Sequence, residues 1–141
     1  MALSRFAGMW SYANATPIVD VPEADEAVEV LTWQHATALG AEADSTAGTI
    51  RIEAPGFYLG YFFASFIGTT GITYFFEFRA NGIVGAGFRC TADGVTGAAV
   101  NVAMMGGANF DEGDVITVVV YADEDGENIT VVDGQFGVIS I

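Results

Sequence analysis

Phe57-Tyr58-Leu59-Gly60-Tyr61-Phe62-Phe63-Ala64-Ser65-Phe66-Ile67 is the stretch on which the reading of this chain turns. Successive side chains of a β-strand point to opposite faces. Phe57, Leu59, Tyr61, Phe63 and Ser65 therefore share one face, and Tyr58, Gly60, Phe62, Ala64 and Phe66 the other. Both faces are apolar. An antiparallel sheet with one face on a core and the other in water alternates apolar with polar residues, and this strand does not. Residues 98–105 and 135–141 are similarly apolar on two sides. Three such strands side by side would expose more apolar surface than the few hundred Å² a monomer tolerates, so a homo-oligomer is expected. The competing expectation is that residues 1–45 cover this surface.

Around this strand, from residue 46 to the end, hydrophobicity repeats with a period close to two and glycine or asparagine interrupts it at short intervals. The spacing predicts strands over 47–53, 57–67, 72–79, 83–91, 98–105, 115–122 and 129–141, the last irregular near Asp133-Gly134. Turns are expected at Pro55-Gly56, 68–71, Asn81-Gly82, Asp93-Gly94, Glu112-Gly113 and Asp125-Gly126, where the Asn-Gly and Asp-Gly pairs suit positive φ. Short strands at this spacing form a sandwich or a barrel.

Residues 1–45 read differently. A short strand is expected over 6–12, an acidic connection over 17–27, and an alternating strand over 28–33. Residues 34–39 could form a helical turn, but 37–40 read more simply as a loop. The whole chain, 1–141, is read as one domain: 1–16 an N-terminal arm or first strand, 17–45 the acidic connection with a short strand, and 46–141 the main body. A chain of 141 residues buries about 68% of its unfolded surface, which suffices for a core without disulfides or a structural metal.

Charge narrows the partners. Eighteen acids stand against four bases, all arginine (Arg5, Arg51, Arg79, Arg89), for a formal charge of −14. Nucleic acid binds through clustered cations, so it is not expected as a partner, and neither is an anionic membrane. The first ten residues lack the continuous apolar run of a secretion signal, and no run is long enough to span a bilayer as a helix.

Chemistry has few candidates. Cys90 is the only cysteine and His35 the only histidine, so no intrachain disulfide, thiolate metal site or histidine pair is available. Both are read as structural residues. Gly82, Gly85 and Gly87 do not have the spacing of a phosphate loop. The acidic residues 123–128 do not space oxygens as a calcium loop does and read as a solvated turn, and Asn128-Ile129-Thr130 reads as a chance glycosylation triplet. No catalytic residue, metal or cofactor is expected, and the chain is read as a non-enzyme.

The residues also resemble a known family. Thr49-Ile50-Arg51-Ile52-Glu53-Ala54-Pro55-Gly56-Phe57-Tyr58, running into the long aromatic strand, is followed by Tyr74-Phe75-Phe76-Glu77-Phe78 with Asn81-Gly82. Then come Phe110-Asp111-Glu112-Gly113-Asp114-Val115-Ile116 and Phe136-Gly137. Together, over about residues 46–141, these resemble the jelly roll of tumour-necrosis-factor-like ligands and of the globular heads of complement. The resemblance implies an all-β sandwich of two antiparallel five-stranded sheets, packed as a trimer through the sheet that holds the long aromatic strand. Tyr58, Tyr61 and Phe63 are the candidates for that trimer interface.

Fold alone does not decide function. The family's eukaryotic members are secreted or tethered, commonly on collagen or coiled-coil stalks, and none of these features is encoded here. Related jelly rolls occur as capsid decoration proteins and as fibre tips. The expectation is a non-enzymatic homotrimer, a decoration or cement protein bound to the major capsid protein on the outside of a phage capsid and assembled in the host cytoplasm. Its acidity suits the outside of a particle. The alternative is a receptor- or carbohydrate-binding jelly-roll module of a tail fibre or cell-surface adhesin, with Trp10 and Trp33 as the tryptophans that could stack on a sugar. Arg5 and Phe6, in an apolar N-terminal stretch, are the candidates for docking on the capsid.

Overall fold

The computed structural model describes residues 5–11, 18–19, 27–30, 33–124 and 128–141, with the backbone alone at 11, 18 and 84–87. Twelve strands run in chain order: β1 (Phe6–Ser11), β2 (Ile18–Val19), β3 (Val28–Glu29), β4 (His35–Leu39), β5 (Ala41–Asp44), β6 (Thr49–Ile52), β7 (Gly56–Ile67), β8 (Thr73–Ala80), β9 (Ile83–Asp93), β10 (Ala99–Phe110), β11 (Val115–Ala122) and β12 (Ile129–Ser140). One sheet has the order β10-β7-β12-β1-β4, with the two-residue β2 beside β12. The other has the order β5-β6-β11-β8-β9, with β3 beside β11. Every named strand pair is antiparallel. The result is a sandwich of two five-stranded paths, as expected, each carrying one short extra strand.

The alternation in β7 explains how the sheets adhere. Tyr58, Phe62 and Phe66 point inward and are fully buried, as are Tyr74 and Phe76 of β8 on the facing sheet. Phe62 stacks on Phe76 with ring centres 5.3 Å apart, and Phe66 meets Tyr74 edge-on at 5.3 Å. Trp33 closes one side against Phe62 and Phe136. These contacts belong to one continuous core cluster that includes residues from both sheets. Rings at such separations add about 0.5–1.5 kcal/mol per pair beyond their area burial.

Turn chemistry holds at the Asn-Gly site. Asn81 and Gly82 take φ of 54° and 76°. The Asn81 side chain is also tied down: its Nδ2 donates to Asp114 Oδ1 at 2.9 Å and its Oδ1 accepts from Val115 N at 3.0 Å. Asp93-Gly94 is not the turn expected of it. Asp93 ends β9, and the chain reverses over 95–98, where Gly97 has φ 77°. The Asp125-Gly126 turn, Tyr12, residues 20–26 and Leu31-Thr32 lie outside the described residues.

Residues 17–45 needed the largest correction. The loop or helical turn expected near 34–39 is strand β4, paired along its length with β1. All five of its residues are exposed, so no hydrophobic alternation marked it; backbone pairing, rather than burial, makes it a strand. A second strand, β5, follows after Gly40, whose φ is 69°.

Candidate functional site

Register sorts the outward side chains of the first sheet into rows, because residues paired across antiparallel strands share a face. One row runs Gly107, Leu59, Ile139, Phe6, Leu39 from β10 to β4. The next runs Met105, Tyr61, Gly137, Gly8, Thr37, and the third Ala103, Phe63, Gln135, Trp10, His35. A fourth, Asn101, Ser65 and Asp133, is polar. Six of the nine large apolar side chains exposed among the described residues lie on this face: Phe6, Leu39, Phe57, Phe63, Met105 and Ile139. Met105 is 60% exposed and Leu39 53%, an arrangement water does not favour.

Glycines let aromatic rings lie flat across this face. A Cβ on Gly107 would run into the Phe57 ring, and one on Gly137 into Tyr61. Burial pushes the Tyr61 hydroxyl above its ordinary pKa, so it stays protonated. The ring stacks on Phe63 at 5.8 Å.

The outward face of the second sheet is polar. Its rows include Glu42 beside Arg51, Thr117 beside Arg79, and Glu29, Val119, Glu77, Arg89. Glu77 is only 4% exposed there. It accepts the Tyr121 hydroxyl at 2.8 Å and lies 3.4 Å from Arg79 and 4.0 Å from Arg89. Three of the four arginines therefore sit on this face, and the apolar face of the sandwich lies opposite.

The sequence candidates divide accordingly. Tyr61 and Phe63 stand on the open apolar face. Tyr58 does not: it faces the core, is fully buried and donates its hydroxyl to Ala54 O at 2.8 Å. It is a core residue, on the side of β7 opposite to Tyr61. Phe6 lies in β1 on the open face. Arg5 is not a free arm. Its N–H donates to Ser140 Oγ at 2.7 Å, its carbonyl accepts from Ser140 N at 2.8 Å, and its side chain lies over Gly40. Residues 1–4 lie outside the described residues. Cys90 is half-buried and burial pushes its thiol up to about 11; His35 stacks on Trp10 at 5.5 Å. Trp33 is core and Trp10 is on the open face.

What sequence reasoning missed is a groove on that face. It has a volume of about 760 Å³ and is floored by β7 between β10 and β12, with Trp10 and Phe63 at one end and Ser65, Asn101, Asp133 and Gln135 around it. A β-bulge between Val131 and Asp133 brings Asp133 to the open face beside Ser65. The irregularity near Asp133-Gly134 was legible; its consequence was not.

No protein-family model matches the chain, and no curated protein matches it in sequence. Solved structures do match. Murine APRIL at pH 8.5 is 19% identical with a TM-score of 0.66, over 99% of this chain and all of that one. The globular domain of zebrafish complement 1qA protein is 15% identical with a TM-score of 0.59, over 97% of both chains. The Eiger TNF of S. frugiperda is 13% identical with a TM-score of 0.57, over 97% of this chain and 93% of that one. At these identities the likeness is one of fold: the sandwich is a jelly roll of the tumour-necrosis-factor and complement-head type.

Proposed function

We propose that the chain assembles as a homotrimer through the open apolar face of the β10-β7-β12-β1-β4 sheet and acts, without catalysis, as a decoration protein on the outside of a phage capsid, bound to the major capsid protein. The observation behind assembly is the concentration of six exposed large apolar side chains on this one sheet face, opposite a face of arginine, glutamate and threonine. Covering them with identical copies removes the apolar area from water at about 25 cal/mol per Å². Fold likeness supports three copies. The charge of −14 supports the exterior of a particle, since packaged nucleic acid would repel it.

A receptor- or carbohydrate-binding module is the second reading, favoured by Trp10 and the groove beside it.

Light scattering at micromolar concentration tests assembly: a trimer is expected, and Met105→Glu should give a folded monomer, because a charge buried without a partner costs several kcal/mol. A wild-type monomer overturns the reading. Immunogold labelling separates the two roles. Gold on capsid exteriors supports decoration, whereas gold on cell surfaces or tail tips overturns it in favour of the second reading.

A further inference from the structure

We infer that the cavity between the two sheets, behind β10, is a binding site for a small uncharged apolar molecule. The cavity lies on the core side of β10, β7 and β12, opposite the side chains proposed to join copies of the chain, and the inference holds whether or not the chain sits on a capsid.

The argument starts from one position in β7. The inward row of that strand is Tyr58, Gly60, Phe62, Ala64 and Phe66, and Gly60 is the gap in it. Nothing local calls for glycine there: its φ is not positive, and an added Cβ would lie 3.5 Å from the Phe78 ring, an ordinary contact. Across the sheet Gly60 pairs with Gly106 on β10 and Val138 on β12. Gly106 differs, because the Phe88 ring already fills the place of its Cβ. The space left between this row and the second sheet is a cavity of about 330 Å³. Its lining runs from buried Val138, Ile116 and Phe78 to half-buried Phe88, Ala108 and Phe110, so it opens toward the β10 edge. The walls have contacts of their own: Phe78 meets Phe88 edge-on at 6.1 Å and Phe136 at 5.7 Å, and Phe110 packs on Tyr58 at 6.1 Å. Rings held in such pairs cannot collapse into the space without giving them up.

Size and chemistry narrow the ligand. Packed cores hold few voids larger than a water molecule. An apolar cavity of about 150 Å³ stays dry and takes up benzene, and small-ligand sites begin at roughly 300 Å³. At about 330 Å³ this one has room for two fused rings or a medium-length alkyl chain. Every described lining residue except Arg79 is glycine or apolar. Arg79 is already paired with Glu77 at 3.4 Å, and the chain as a whole carries −14, so an anionic head group finds no open partner here. A charge of either sign would be desolvated against carbon without compensation, which leaves an uncharged molecule held by burial of apolar surface.

Titration of the full chain with N-phenyl-1-naphthylamine, a neutral two-ring dye that brightens in apolar surroundings, tests the site, with 1-octanol, octanoate and octylammonium as competitors. The dye is expected to bind at one site per chain, to be displaced by octanol, and to be displaced by either charged competitor at least about tenfold less well. Nuclear Overhauser contacts from the bound dye to the methyl groups of Val138 and Ile116 should place it in the wild-type cavity. Gly60→Val and Ala108→Leu, which fill the space from its floor and from its rim, should each abolish binding and the rise in melting temperature that the dye gives the wild type. Thermal melts show which variants are folded, and the contacts to Val138 and Ile116 decide the matter without either. The inference is overturned if the dye does not bind the wild type, if it binds without those contacts, if binding survives in the folded filled variants, or if a charged competitor displaces it as well as octanol does. A wild-type monomer that binds the dye in the cavity leaves this inference standing and removes the assembly reading instead.

Discussion

The ring of Tyr61 on β7 covers Gly137 on the neighbouring strand β12 so closely that any side chain there would meet both the ring and a main-chain oxygen, Ala7 O, at 2.7 Å from the added Cβ. Gly8, one strand further, differs: a Cβ there would lie 2.9 Å from the Tyr61 hydroxyl, the free end of a side chain, and 3.6 Å from the nearest backbone oxygen. Gly137→Ala should therefore destabilise the fold by about 1–3 kcal/mol, the usual cost of overpacking where backbone must shift. Gly8→Ala should cost distinctly less. Thermal melts of the two variants check the order; equal losses would show that the Tyr61 ring, rather than the backbone, sets the cost.

Glu77 is a buried carboxylate on an otherwise wet sheet face, held by Tyr121, Arg79 and Arg89. Its replacement leaves Arg79 and the Tyr121 hydroxyl without their acceptor and removes the ion-pair partner of Arg89, which still donates to the Tyr121 hydroxyl at 3.2 Å. Because Arg89 is 55% exposed and Arg79 24%, water takes up part of the loss. Glu77→Leu should lower stability by about 1–3 kcal/mol in denaturant titration, and Tyr121→Phe by about 1 kcal/mol.

Burial raises the Cys90 thiol to about 11, which keeps it protonated across neutral pH. The thiolate is the reactive form, so at pH 8 the native protein should alkylate with iodoacetamide at least about a hundredfold more slowly than an ordinary exposed cysteine. The rate should climb only as pH approaches 11. Rapid labelling at pH 8 in the folded state, followed by mass spectrometry, would show an exposed or activated thiol.

Assembly brings together chains that each carry −14 charges. Salt screens that repulsion, with a Debye length falling from about 30 Å at 0.01 M to about 10 Å at 0.1 M. Sedimentation velocity should therefore show the proposed trimer holding to lower protein concentration as salt rises. Dissociation by salt would mean that ion pairs, rather than the apolar rows, join the copies.

Much of this was legible in the sequence because strand periodicity is local. The alternation in residues 57–67 already separated Tyr58 from Tyr61, and the apolar run over 115–122 matches β11 residue for residue. Residues without such a signal are not legible in this way: the strand from His35 to Leu39 is exposed along its length, and only its pairing with β1 makes it one.

Local pattern determined that β7 has two apolar faces and that the chain is all-β, since both follow from side-chain type and period alone. Only the packing of one sheet on the other decided which face of β7 became core, burying Tyr58 against Ala54 and leaving Tyr61 and Phe63 outside. Only pairing across three strands placed Trp10 in one row with Phe63, far away in sequence, and one bulged residue in β12 decided that Asp133 joined them. Register between distant strands is set by the turns, bulges and core of the whole sandwich, and no single stretch of sequence contains it.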